Sequence, residues 1–441
     1  MTVTTRFAPS PTGRLHVGNI FTAVHNYLLA KKAGGRFILR LDDTDRARST
    51  EAFAQGIRDD LAWLGLVPDA EVRQSDRVAA YDAALERLHA MGRAYRCYES
   101  PEELDIKRKV QLSRGLPPVY DRAALKLSDA DHARLEGEGI RPHWRFRLDH
   151  DGHVEWDDLI RGPSHIDPAS LSDPVVRRAD GGYLYMLPSV VDDIDLGITH
   201  VVRGEDHVAN SAIQLQMFEA MGCAPPRLAH FGLLTSVDGE LSKRVGSAGT
   251  EALKELGIEP IAVVAMLARL GTADAIEPVA DLATLAERHD LGRLGNTHPR
   301  FDPAELRHLN ARIVHQLPFE AVRDRLPAGM DGTAWEVIRP NLTTVAEAAD
   351  WWSVVEGPVA AEIAPEDESY LAEAHAGLAE LPWHGDVWHA LVEALKARTG
   401  RKGKALFQPL RRALTGRDHG PEMAALLPLI GRERALARLA R

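Results

Sequence analysis

The opening segment reads as strand, helix, strand, and that order leaves few folds open. Val3 to Ala8 is a short β-favouring run, Gly13 to Ala33 carries Val17, Ile20, Val24, Tyr27 and Leu28 on one helical face, and Arg36-Phe37-Ile38-Leu39-Arg40-Leu41 alternates as a second strand. Gly34-Gly35 stops the helix between them. Such a unit closes onto a parallel sheet, so an α/β fold is expected. Further helices are predicted over Thr50 to Leu64, capped by Ser49 or Thr50, and over Ala79 to Met91. The rhythm is lost from about Cys97 to Tyr183, where charged helical and short strand-like pieces are punctuated by glycines, and this stretch reads as an insertion. Strand-like apolar runs return at Leu187 to Val191 and Thr199 to Val202, followed by a helix from Asn210 to Met221. Beyond about Ser247 the chain turns helical, with Ile261 to Leu270 and Pro303 to Asn310 among the clearest segments and no strand pattern recurring.

A length of 441 residues is too great for one ordinary core and predicts several domains. No stretch of about 18 uncharged apolar residues is present to cross a bilayer. The N-terminus meets prolines at once, without the apolar core of a signal peptide, so a cytoplasmic protein is expected. The two cysteines, Cys97 and Cys223, form neither a CxxC pair nor a four-thiolate site. A net charge of −11 argues at first against a nucleic-acid partner, yet Lys396 to Arg441 holds 12 Lys or Arg against three acids. A solvated helical surface and a nucleic-acid contact both satisfy that local excess.

Pro9-Ser10-Pro11-Thr12-Gly13 turns the first strand into the helix near His16. The helix start points its free N–H groups and positive dipole end at the carboxyl edge of the sheet, where α/β folds bind phosphates. His16 and Asn19 share one face of the first turn and can donate to a phosphate as charge grows on it, while Gly18 lets a nucleotide approach the backbone. Arg6-Phe7-Ala8-Pro9-Ser10-Pro11-Thr12-Gly13 followed by Leu15-His16-Val17-Gly18 resembles the HIGH signature of glutamyl- and glutaminyl-tRNA synthetases. A second segment, Asp238-Gly239-Glu240-Leu241-Ser242-Lys243-Arg244, resembles the KMSKS loop of the same class, with Glu240 in place of the first lysine.

The resemblance implies a Rossmann-type parallel-sheet catalytic domain in two halves, residues 1–95 and 185–240, around an inserted α+β connective domain, 96–184. A stem-contact region, 241–312, and an all-helical anticodon-binding domain, 313–441, would follow. It further implies ATP binding by Ser10, His16, Gly18, Asn19, Lys243 and Arg244, with His16, Asn19 and Lys243 catalytic. Lys243 would neutralise departing pyrophosphate. A glutamate pocket needs a guanidinium fork for carboxylate and an acceptor for ammonium, and arginine donors reject the amide of glutamine. By resemblance Arg6 and Arg203 hold carboxylate, Tyr185, Ala8 and Ser10 line the pocket, and Asp42 stands where the family places a glutamate near the ammonium group.

Many bacterial relatives bind zinc through C-x-C and C-x-H in the insertion. Here Cys97-Tyr98-Glu99 and Ala124-Leu125-Lys126 stand there, so no structural zinc is expected. The segment Thr399 to Gly416 resembles one common in the anticodon-binding region, which would present Arg401, Lys402, Lys404, Arg411 and Arg412 to tRNA phosphates. The implied protein is a monomeric glutamate-activating ligase using ATP with Mg²⁺. Its partner is tRNA-Glu or, since Asn341 falls near a position where discriminating relatives use arginine, tRNA-Gln as well. A catalytically impaired tRNA-binding paralogue, suggested by Glu240 and Asp42, and a short relative acting on a modified tRNA base are the alternatives. The helical region after Arg312 opposes the second.

Overall fold

The computed structural model describes residues 2–236 and 249–440. They divide into two compact units, Met1–Leu253 with Val263–Pro303, and Lys254–Ala262 with Ala304–Arg441. In the first, strands β1 (Thr4–Phe7) and β2 (Arg36–Leu41) flank helix α1 (Val17–Lys32), and β2 pairs in parallel with both β1 and β3 (Ala70–Arg73). The register sets Arg6 against Ile38 and Phe7 against Leu39, so both strands open their carboxyl ends side by side. The helix-to-strand turn is tight: a Cβ on Gly35 would lie 2.0 Å from the Val3 carbonyl oxygen. Helix α2 (Glu51–Leu64) starts where the Thr50 hydroxyl accepts from Phe53 N–H at 3.2 Å and stops at Gly65, φ +74°. Helix α3 (Val78–Ala90) follows.

The stretch read as an insertion folds into antiparallel sheets. Strands β4 (Ala94–Cys97), β5 (His143–Phe146) and β8 (Val175–Arg177) form one sheet, and β6 (Val154–Asp158) with β7 (Gly162–Ile166) form a hairpin. Helices α4 (Pro101–Ser113) and α5 (Asp129–Gly137) bury no residue and begin with capping boxes, Ser100 with Glu103 and Ser128 with Asp131. The parallel pattern then resumes with β9 (His200–Gly204), helix α7 (Val208–Ala220) and β10 (Arg227–Phe231). Thr199 N–H donates to the Thr4 carbonyl at 2.9 Å and joins β9 to β1, while Leu159 N–H donates to the Leu228 carbonyl at 2.9 Å and fastens the hairpin to β10.

Two sequence expectations fail. The apolar run Leu187 to Val191 is not a strand but lies within helix α6 (Met186–Asp195), which buries Leu187, Val190 and Val191. A run this short fits either periodicity, and Pro188, in the first helical turn, has no N–H that the helix would need. A strand also recurs beyond Ser247, since β12 (Arg300–Phe301) pairs in parallel with β11 (Thr235–Ser236). Two residues are too few to leave a periodic signal.

The second unit is helical throughout its described residues, as predicted. Its core gathers Trp335, Leu391, Leu395, Leu406, Leu410 and Leu414, and the Trp335 Nε1–H donates to the Leu317 carbonyl at 2.8 Å. Buried Arg438 donates to the carbonyls of Leu414, Val354 and Gly357 at 2.6, 2.7 and 2.8 Å, satisfying groups that helix ends leave open.

Candidate active site

A cavity of about 620 Å³ opens at the carboxyl ends of β1, β2 and β9. Arg6, Ala8, Ser10, His16, Gly18, Asn19, Asp42, Tyr185 and Arg203 all line it. The start of α1 forms one wall. His16 and Asn19 cap the helix reciprocally: His16 Nδ1 accepts from Asn19 N–H at 3.3 Å, and Asn19 Oδ1 accepts from His16 N–H at 3.1 Å. An accepting Nδ1 carries no proton, so the ring's hydrogen sits on Nε2. Desolvation lowers the His16 pKa, which favours the neutral ring. The cap thus uses both acceptors and leaves two donors, His16 Nε2–H and the Asn19 amide NH₂. Gly18 has a role the sequence reading missed. A Cβ there would come within 3.0 Å of the His16 ring, so the missing side chain makes room for the imidazole.

The opposite wall is built from arginines. Arg40, fully buried, donates to both oxygens of Asp42 at 2.7 and 3.1 Å and to Asp193 at 2.8 Å. Burial pushes its pKa down, but Asp42, Asp193 and Asp192 overcome this and hold it well above the ordinary arginine value. Arg6 donates from Nε to the same Asp193 at 3.2 Å, leaving its Nη groups for a ligand. Burial raises the Asp42 pKa against the lowering effect of Arg40. An ammonium group beside Asp42 would therefore share that carboxylate with a guanidinium already bound to it. Asp192 and Asp193 come from α6, the element misread as a strand, which hid their inward face.

Arg203 differs from these. It is buried, yet its Nε donates to His230 Nε2 (3.3 Å), Nη1 to Tyr185 Oη (2.9 Å), and Nη2 to Ser211 Oγ (2.5 Å) and Gln214 Oε1 (2.8 Å). Every acceptor is neutral. Among the described residues no carboxylate hydrogen-bonds to it, and desolvation lowers its pKa against a smaller raising effect of Tyr185 and the more distant Asp193. A buried cation held only by neutral dipoles beside a cavity is a receptor for an anion. Behind it, Asp158 accepts from the His230 ring at 2.5 Å. Burial pushes the Asp158 pKa up, but hydrogen bonds from that ring and from backbone N–H groups of Arg161, His230 and Ile160 bring it down to about 2.

Lys243, Arg244 and Glu240 lie outside the described residues. The chain on either side of them reaches the cavity: Thr235 lines it, and a Cβ on Gly249, φ +58°, would fall 1.9 Å from the Leu15 carbonyl oxygen beside His16. In the helical unit, Lys402 and Lys404 are exposed. Arg401 pairs with Asp367 and lies 4.3 Å above the Tyr370 ring, Arg411 donates to the Pro421 carbonyl at 3.0 Å, and Arg412 grips both oxygens of Asp418. Those arginines serve the fold of the unit before any ligand arrives.

In the insertion, ligand atoms of Cys97, Glu99 and His143 lie within 4.8 Å of one another. The arrangement does not fit a closed four-ligand zinc site. Tyr120 (2.7 Å) and Lys107 (3.4 Å) both donate to Glu99 Oε1, Ala124 supplies no ligand, and burial pushes the Cys97 thiol up to about 12.

Residues 2–307 match the family model for the catalytic domain of class I tRNA synthetases (E and Q), and residues 319–441 match an anticodon binding domain. The chain is 63% identical over 437 residues to glutamate–tRNA ligase 1 of Rhizorhabdus wittichii, covering 99% of each chain. It is 59% identical over 440 residues to glutamate–tRNA ligase 1 of Novosphingobium aromaticivorans, covering 100% of each. A crystal structure of a glutamate tRNA ligase from Elizabethkingia meningosepticum, in complex with its amino acid, superposes with a TM-score of 0.86 at 27% identity, covering 100% of this chain and 99% of that one. Among the described residues, no helix is long and apolar enough to cross a membrane.

Proposed function

The chain belongs to the class I tRNA synthetases of the glutamyl and glutaminyl type, and on that premise we propose that it activates L-glutamate with ATP and esterifies it to the 3′-terminal adenosine of tRNA. The observation that carries the choice of amino acid is Arg203, whose buried charge lacks a protein carboxylate and is completed by that of the substrate. Arg6 offers its Nη groups to carboxylate from the neighbouring strand, and Asp42 accepts the ammonium group. Glutamine would set an amide NH₂ against arginine N–H groups, leaving donors facing donors.

ATP, carrying Mg²⁺ on its phosphates, sits with its α-phosphate at the start of α1. An oxygen of the glutamate α-carboxylate attacks the α-phosphorus as the bond to the bridging oxygen breaks, and pyrophosphate leaves. The hydrogens on His16 Nε2 and the Asn19 amide meet charge growing on the α-phosphate, in orientations fixed by their mutual cap. Lys243 and Arg244 serve the outer phosphates, a role supported by the way Thr235 and Gly249 bring the flanks of their segment to the cavity. The 2′-OH of the terminal adenosine then attacks the glutamyl carbonyl and releases AMP. No protein nucleophile is needed.

The helical unit reads the anticodon region, with Lys402 and Lys404 free to meet phosphates. Asn341 is exposed there, where a discriminating arginine is absent, so both tRNA-Glu and tRNA-Gln are candidate acceptors, and charging each separately decides between them. The protein acts in the cytoplasm as a monomer on this reading. Pyrophosphate exchange in the presence of tRNA tests the phosphate assignments: K243A should lower the activation rate far more than it raises the glutamate KM. A normal rate in that variant would remove Lys243 from the mechanism.

A further inference from the structure

Arg203 hangs from a chain of hydrogen bonds that starts in the insertion. Its Nε–H donates to His230 Nε2 at 3.3 Å, and the Ser211 hydroxyl, which accepts from Arg203 Nη2, lies 2.8 Å from the same nitrogen, so that nitrogen is an acceptor and the neutral ring carries its proton on Nδ1. His230 Nδ1 lies 2.5 Å from Asp158 Oδ2, which fixes this tautomer as a buried carboxylate fixes a ring that works through its other nitrogen. Asp158 is itself immobilised. Its Oδ1 accepts the backbone N–H groups of Ile160, Arg161 and His230, each at 3.1 Å. Asp158 closes β6 of the inserted hairpin, His230 lies on β10 and Arg203 on β9, so three elements meet in one line.

We propose that Asp158 and His230 are positioning residues for substrate recognition, holding the Arg203 guanidinium with Nε turned to the imidazole and its one uncommitted N–H, on Nη1, turned to the amino-acid carboxylate. The inserted hairpin therefore supplies the far anchor of the amino-acid pocket. This role rests on Arg203 being the carboxylate receptor. Exchange of Asp158 for Asn keeps the shape and an oxygen for the three backbone N–H groups. It places an NH₂ against His230 Nδ1, which must then accept. The ring proton moves to Nε2, where Ser211 Oγ, 2.8 Å away, accepts it by turning its own hydrogen to the His207 carbonyl at 3.2 Å, while Arg203 Nε–H loses its acceptor, donor against donor, and the guanidinium is pushed off its position.

The test is ATP–pyrophosphate exchange by the full chain with tRNA present, varying glutamate and ATP separately. D158N should raise the glutamate KM about 10- to 100-fold, the usual range for a misdirected hydrogen bond to a charged group, while kcat and the ATP KM stay within about threefold. His230→Gln places Oε1 near the Nε2 position and keeps an acceptor for Arg203, so it should recover most of the glutamate affinity. His230→Asn keeps only the Asp158 side of the chain and should stay as impaired as D158N. The proposal is overturned by an unchanged glutamate KM in D158N, by glutamate and ATP KM rising together, or by H230N matching H230Q. R203K is the control: if its glutamate KM equals that of the wild type, the reading of Arg203 itself fails and takes this proposal with it.

Discussion

Arg40, on β2, and Arg203, on β9, are both buried guanidiniums, and the protein treats them in opposite ways. Arg40 is saturated by Asp42 and Asp193, with Asp192 3.8 Å away, and it knots β2 to α6. Arg203 is given a ring nitrogen, a phenol, a hydroxyl and an amide, none of them charged. Taking a cation out of water costs several kcal/mol unless a counter-charge recovers it. A compensated arginine is therefore a structural tie. An uncompensated one beside a cavity is a standing demand for an anion, and the difference between them is the ground for the amino-acid pocket proposed here.

Substitutions can break that contrast. The largest effect is expected for Arg40→Met, which strands Asp42 as an unpaired buried charge and leaves Asp193 to Arg6 alone, and urea unfolding should show about 3–5 kcal/mol of lost stability. Next comes acid. Asp158 is held at about 2 in the folded protein, below the ordinary carboxylate value of about 4, so its contribution is fully present above pH ~4 and disappears as pH falls towards ~2. Urea unfolding across that window should lose on the order of 2 kcal/mol more in the wild type than in D158N. Smaller still is the stability change in Arg203→Met: with no protein carboxylate orphaned, it should unfold within about 1 kcal/mol of wild type or slightly above it. The same contrast repeats on the helical unit, where Arg412 is tied to Asp418 and Lys402 is not. K402A should flatten the salt dependence of tRNA binding by about 0.7–0.9 in the log–log slope, and R412A by less.

Much of this arrangement was legible in the sequence. The strand–helix–strand opening could be read because period 2 gives way to period 3.6 and back again across Gly34-Gly35, and the first motif placed His16 and Asn19 on one turn. The cap that joins that pair leaves a phosphate-facing role open, since it consumes acceptors and leaves donors. Asp193 was missed because Leu187 to Val191 is apolar in either periodicity, and only the helix turns the following acids inward. Asp158 and His230 stand 72 residues apart, and no local pattern announces a hydrogen bond between an inserted hairpin and the sheet it docks against. The second motif was legible as a resemblance alone, because its residues fall outside those the structure describes.

The central claim is that the substrate's side-chain carboxylate is the counter-ion Arg203 lacks. The most direct measurement is the ratio of kcat/KM for glutamate over glutamine in pyrophosphate exchange, for wild type and Arg203→Met, with tRNA present. A site built on that charge should lose about 100-fold or more of its preference in the variant. A variant that still chooses glutamate over glutamine as strongly as the wild type would show that the charge is read elsewhere.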